Sequence, residues 1–446
     1  MTCQVFFLMN HDLRTDTMLT SFTVAAFWQL NEYFAERKLV NLLTGFFFLG
    51  LAMLAKGPVG LIVAIMGFGT HFFIKKAWKE FFNPAYLLGI LVIALVLTPM
   101  CIGLYEQYDS QPGKESGLYF YFWKQSFGRI TGENFWNNNP HATFLTENFL
   151  WSFLPWTLLS FPAIFFKLKS AFLEFFGGKK AENEEYFSVF GFLLGLISLS
   201  LSKYQLPHYI YVIMPLAAIF TGEYVAKAEE GGKLLTLFTR MQAFVAVLLF
   251  LLSLFLTLYV FDDSMNLYII LLFLIVFKFS FFYFIYGKNF FEKVILSSVI
   301  SVCGLNLVLN LHFYPNLFAY QSGSVIGRFV RENSDIDKKR YFIYGLDLHF
   351  YAIDFYADVR AKDFKAIAEL EKECENGKLW VYTDEKGLEE IESKENLTFK
   401  KLKETLRFHV STLNPEFLNP ETRLSQCVKV YLLEVEKQSD KAVNHN

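Results

Sequence analysis

The sequence predicts an all-α polytopic membrane protein of about ten transmembrane helices, ending in a small extracytoplasmic α/β domain. Three observations carry this reading. Hydrophobic residues make up 54% of the 446 and charged residues only 19%, where a soluble domain has roughly 25% charged. The apolar residues gather into long uncharged runs, many near the length that a helix needs to cross a bilayer. From about Phe318 the chain turns charge-rich, which puts a transmembrane part at residues 1–317 and a soluble domain at 318–446.

The expected spans, in order, are Thr17–Asn31, Leu39–Ala55, Gly57–Ile74, Phe81–Tyr105, Asn148–Phe166, Tyr186–Ser202, Tyr204–Gly222, Met241–Phe261, Ser264–Gly287 and Val294–Tyr314. The first, second and sixth are short. Lys278 interrupts the ninth near its end, where a lysine stem reaches the interface. With the Asp12–Asp16 cluster outside, the connections that fall inside carry fourteen Lys and Arg and the outside ones six. Basic residues favour the cytoplasmic side, so both chain ends are expected outside. The inner connections read as plain solvated loops.

In the tail, Arg340–Tyr344, Leu379–Tyr382 and Val428–Val435 read as strands, and Lys362–Asn376 and Glu385–Lys394 as helices. Nothing in the tail looks catalytic. Cys374 and Cys427 share it and are free to pair if it is extracytoplasmic. The other three cysteines lie in or beside apolar runs and read as small hydrophobes. A net charge of −2 gives no case for nucleic acid.

The chemistry gathers on the predicted outer side. Three charges and a histidine crowd His11-Asp12-Leu13-Arg14-Thr15-Asp16, and charge in hydrocarbon is costly. Ala55-Lys56-Gly57-Pro58 is a tight reversal. The long loop Glu106–Thr146 holds Arg129, Glu133 and His141 among dense aromatics, and long loops in compact proteins are often functional. Ser202–Tyr209 holds Lys203, His208 and Tyr209. Acids and bases on one face suit sugar transfer from a lipid phosphate. Cations stabilise the leaving phosphate, and a carboxylate takes the proton of the acceptor hydroxyl. Asp16 and Asp12 are the candidate catalytic residues; Arg14, Lys56, Arg129, Glu133, His141, Lys203, His208 and Tyr209 are the candidate ligands of phosphate and sugar.

Each has a structural alternative. Asp16 is equally placed to cap a helix, and Asp12 and Arg14 to pair with each other. Lys203 suits an interfacial anchor, and Tyr209 an aromatic belt. A metal held by His141, Glu133 and His208 is a minor alternative; the main reading needs neither metal nor cofactor.

The runs Arg14-Thr15-Asp16-Thr17-Met18-Leu19, Ala55-Lys56-Gly57-Pro58, Phe127-Gly128-Arg129 followed by Glu133-Asn134 and His141, and Lys203-Tyr204-Gln205-Leu206-Pro207-His208-Tyr209-Ile210 resemble the bacterial GT-C glycosyltransferases. This is the dolichyl-phosphate-mannose protein mannosyltransferase-like group that includes the lipid A aminoarabinose transferase. The resemblance runs in order to about Pro315. It implies an integral-membrane enzyme that moves a sugar from a polyprenyl-phosphate donor to lipid A, a glycan or a protein at the outer surface. Asp16 matches the acid of the family's second outer loop and Lys56 the lysine of its Lys-Gly turn. Arg129 matches the basic residue of its long loop, and Lys203 and Tyr209 match its Lys…Leu-Pro-x-Tyr element. His208 stands where a small polar residue is expected. The family also has about three further spans and a first-loop aspartate upstream of Met1, so Met1 reads as a start inside a longer pattern. The rival readings are a transporter or flippase of a lipid-linked sugar, and a non-catalytic truncated subunit.

Overall fold

The structure is a computed structural model and describes residues 2–9, 11, 14–133, 138, 140–177, 184–231, 235–262, 266–346 and 351–438, with backbone alone at 129–130 and 228–231. Its helices are α1 (Gln4–Met9), α2 (Thr15–Glu36), α3 (Leu39–Lys56), α4 (Val59–Ile74), α5 (Trp78–Asp109), α6 (Phe144–Ser152), α7 (Thr157–Gly177), α8 (Phe187–Ser200), α9 (Pro207–Lys227), α10 (Leu235–Val260), α11 (Leu267–Tyr286), α12 (Phe291–Phe318), α13 (Ser322–Glu332), α14 (Tyr351–Ala357), α15 (Ile367–Cys374) and α16 (Glu385–Glu392), with shorter turns between.

Every predicted span falls on a helix. Among the described residues six helices, α3, α5, α9, α10, α11 and α12, are long and apolar enough to cross a membrane, and the bent pair α6–α7 makes a seventh. Helices α4 and α8 are apolar but have only 16 and 14 residues, and α2 carries Asp16, Glu32 and Glu36 in its 22 residues. The span expected at Asn148–Phe166 is broken: α6 and α7 meet at 117°. Pro155 lies in the break, where it offers no amide donor and keeps the preceding residue out of the helical region. Helix α5 exposes Leu87, Ile90, Leu91 and Leu95, a surface suited to lipid rather than water.

The chain divides into two compact units, residues Met1–Leu249 with Val276–Cys303, and Phe250–Ile275 with Gly304–Asn446. In the first, α2 packs on α3, α3 on α5, α4 on α8 and α7 on α9. Small residues permit the close approaches; a β-carbon on Gly67 of α4 would meet the Phe187 carbonyl of α8 at 2.8 Å.

The second unit contains a five-stranded sheet with strands β1 (Tyr341–Tyr344), β2 (Lys362–Phe364), β3 (Leu379–Asp384), β4 (Leu397–Arg407) and β5 (Val428–Lys437). Their order is β2-β1-β3-β5-β4. Strands β2, β1 and β3 are parallel, and β5 joins β3 and β4 antiparallel. Helices α13 and α14 bury Ile326, Val330 and Ile353 on one face; α15 and α16 bury Leu370, Leu388 and Ile391 on the other. Strand β4 escapes the sequence reading because its lysines and glutamate mask the alternation. The predicted helix Lys362–Asn376 gives its first residues to edge strand β2 and starts at Ile367. Cys374 and Cys427 are free thiols. In the same unit Arg423, itself buried, donates to the Val260 carbonyl at the end of α10 and stacks 4.5 Å over Phe261.

Candidate active site

Two helix ends build the centre of the site. Asp16 lies in the first turn of α2, where exposed amides favour a carboxylate, and Lys56 is the last residue of α3, where carbonyls favour a cation. The chain reverses at Gly57, whose φ of 72° and ψ of −163° belong to a region open only to glycine. Lys56 Nζ meets Asp16 Oδ1 at 2.6 Å; the side chains are 25% and 6% exposed. Lys56 also lies 4.5 Å over the Tyr209 ring, a cation–π contact.

Behind this pair stands His208, 8% exposed. Its Nε2 lies 3.9 Å from Asp16 Oδ2 and 3.2 Å from Arg14 Nη1. A guanidinium only donates, so Nε2 is the acceptor and the imidazole is neutral with its proton on Nδ1. His208 and Tyr209 come from the 3₁₀ segment Pro207–Ile213 that opens α9. Arg14, Asp16, Lys56, His208 and Tyr209 thus form one constellation. Three of them, Asp16, Lys56 and Tyr209, line a cavity of about 130 Å³, with Leu19, Val63 and Leu199 on the apolar wall.

The other predicted residues lie elsewhere. Lys203 rests its ammonium against Gly132, where a β-carbon would overlap it. Around it the long loop is strapped down: Asn138 N donates to the Lys203 carbonyl at 3.3 Å. Asn138 Nδ2 donates to the Gln205 carbonyl at 2.7 Å, and Gln205 N returns a bond to Asn138 Oδ1 at 3.0 Å. Tyr121 donates to the Met53 carbonyl in the last turn of α3. Glu133 accepts from Tyr119 at 2.8 Å, Trp123 at 3.0 Å and Thr131 at 3.2 Å. These bonds, led by the one from Tyr119, hold its carboxyl below the usual range. His141 pairs with Glu147 at 3.0 Å on the surface, away from Glu133 and His208. Among the described residues no group of three His, Cys, Asp or Glu is arranged to hold a metal. Asp12 and the Arg129 side chain lie outside the described residues, as do Asn134, Phe135, Trp136, Asn137 and Asn139.

One feature contradicts the reading of inner loops as plain connectors. Lys167, 7% exposed, meets Glu184 at 3.0 Å, Glu185 at 3.2 Å and Glu223 at 2.5 Å. Lys227 bridges Glu184 and Glu223. Beside them Lys75 pairs with Glu174 at 3.1 Å, and Tyr186 donates to the same carboxylate at 2.7 Å. The sequence signal was Glu184-Glu185 abutting an apolar run.

No protein-family model and no curated protein matches this chain. Two solved structures share its fold. ArnT from Cupriavidus metallidurans bound to undecaprenyl phosphate matches with a TM-score of 0.69 at 12% identity, over 97% of this chain and 76% of that one. The apo state of ArnT from the same organism matches at 0.60 and 13%, over 94% and 74%. At such identity the likeness concerns architecture alone: this chain shares the fold of ArnT.

Proposed function

We propose that this chain is a membrane glycosyltransferase, moving a sugar from a polyprenyl-phosphate donor to an acceptor at the outer face of the bacterial cytoplasmic membrane. The C-terminal domain lies on that same outer side. The observation that carries the reading is the Asp16–Lys56 pair at two helix ends, closing a mostly apolar cavity under Tyr209. A polyprenyl phosphate has the matching parts: an anionic head for Lys56 and Arg14, and an apolar chain for the cavity wall. Charge builds on the phosphate as the glycosidic bond breaks, and a fixed cation in a half-buried site stabilises it strongly. Asp16 holds Lys56 with Oδ1 and keeps Oδ2 on the His208 side for sugar or acceptor hydroxyls. That undecaprenyl phosphate is bound in the ArnT structure supports the same donor class here.

A transporter of lipid-linked sugar would put its charges near the midplane on broken helices. These charges sit at helix ends, which favours surface transfer.

The test is binding of undecaprenyl phosphate to the full chain, read by native mass spectrometry. Lys56→Met is expected to weaken it about tenfold or more, the equivalent of about 1.4 kcal/mol; equal affinity would overturn the proposal. In a transfer assay with a polyprenyl-phosphate sugar, Arg14→Ala and Lys56→Met are each expected to cut turnover about tenfold or more. Unchanged turnover in both removes the phosphate clamp.

A further inference from the structure

The outer loop carries an aromatic face that meets the proposed donor cavity only at its edge. Tyr119, Trp123 and Phe127 recur every four residues along the helical turns of the loop, and remain 49%, 40% and 38% exposed. The Trp123 and Phe127 rings are 5.4 Å apart and tilted by 32°. Glu133 sits against this face, taking the Tyr119 hydroxyl and the Trp123 indole N–H on the same oxygen, Oε2. Phe127 also lines the cavity that Asp16 and Lys56 close. The face therefore runs from open surface to the edge of the candidate active site.

We propose that Tyr119, Trp123, Phe127 and Glu133 form a saccharide-binding platform, on which a pyranose ring of the acceptor rests beside the cavity. A pyranose presents a face of polarised C–H groups, which suits the negative face of an aromatic ring. Its rim of hydroxyls suits an ionised carboxylate, which accepts charge-assisted hydrogen bonds. Glu133 remains such an acceptor because its neighbours keep it ionised. A bilayer fits the face less well. At a membrane interface the indole N–H and phenol O–H turn to water and headgroups; here both turn onto Glu133, and a carboxylate among anionic headgroups is repelled. The name acceptor rests on the transfer reading above, whereas the saccharide site itself does not.

The full chain in liposomes tests this. Subtracting the emission of Trp123→Phe from that of the wild type isolates Trp123. Disaccharides of glucose, galactose and N-acetylglucosamine serve as probes. At least one is expected to shift Trp123 emission saturably, with about tenfold weaker binding in Glu133→Gln and in Tyr119→Ala. No response to any of the three, or quenching of Trp123 by lipids brominated near the headgroup, overturns the platform; the second result would make it a bilayer anchor. Undecaprenyl phosphate affinity in the same liposomes separates the two readings. Its loss with the saccharide response intact sinks the transfer reading alone, and the reverse sinks the platform alone.

Discussion

Lys56 and Asp16 stand 40 residues apart in sequence and touch at 2.6 Å. A buried charge stripped of its partner costs about 3–5 kcal/mol when the pair is fully dry. Lys56 is 25% exposed, so solvent screens part of that. Lys56→Met is expected to destabilise the chain by about 2 kcal/mol. The double variant Asp16→Leu with Lys56→Met should recover most of it, since no lone charge remains. Denaturation in detergent measures both. Phosphate binding should stay lost in the double variant, which separates the role in function from the role in the fold. Glu133 gives a pH prediction at the same scale. Its folded pKa is depressed, so its charge, present at neutral pH, persists through the ordinary glutamate range and is lost only as pH falls through the lower folded value. Saccharide binding titrated from neutral to acid should therefore hold past the pH at which a free glutamate takes up its proton.

The turn Lys56-Gly57-Pro58 shows the scale of the element. Gly57 has a positive φ, and a β-carbon there would lie 3.0 Å from Ser126 Oγ in the long loop. Gly57→Ala is expected to cost about 1–3 kcal/mol in thermal stability and to misplace Lys56, so phosphate affinity should fall with it. Stability and affinity both equal to the wild type would refute this role for the turn. This element was legible in sequence, because Lys-Gly-Pro between two apolar runs permits little else. So were the helices, whose apolar length is local information. The partners of Glu133 and His141 were not. Both residues sit in a loop rich in polar groups, and each found a nearer partner, Tyr119 with Trp123 for one and Glu147 for the other. Gathering on one face did not mean gathering in one site. The close packing of His208 with Arg14 and Asp16 was equally hidden, because it depends on where α9 enters relative to α2.

For the helical unit as a whole, the two charged clusters lie at opposite ends of α9. His208 and Tyr209 open it, and Glu223 and Lys227 close it. At 1.5 Å per residue they are roughly 25 Å apart, close to the thickness of a hydrocarbon core. Counting lysines as markers of orientation missed that those at the second end are ion-pair partners. Lys167 joins α7 to α9 and to the residues that lead into α8, and it is nearly buried among three carboxylates. Burial works to raise the pKa of Glu184, but hydrogen bonds from Lys227 and Lys167 outweigh it and leave the group below its ordinary value. A depressed carboxylate adds stability above its unfolded pKa and loses it as pH falls through the folded one. Lys167→Met leaves the acids facing one another without their central cation, at a cost of about 3 kcal/mol near neutral pH. The difference from wild type should shrink as acid protonates those carboxylates in both proteins. Denaturation midpoints across that range test this. A gap that stays constant with pH would mean that Lys167 acts through the packing of its stem rather than through its charge.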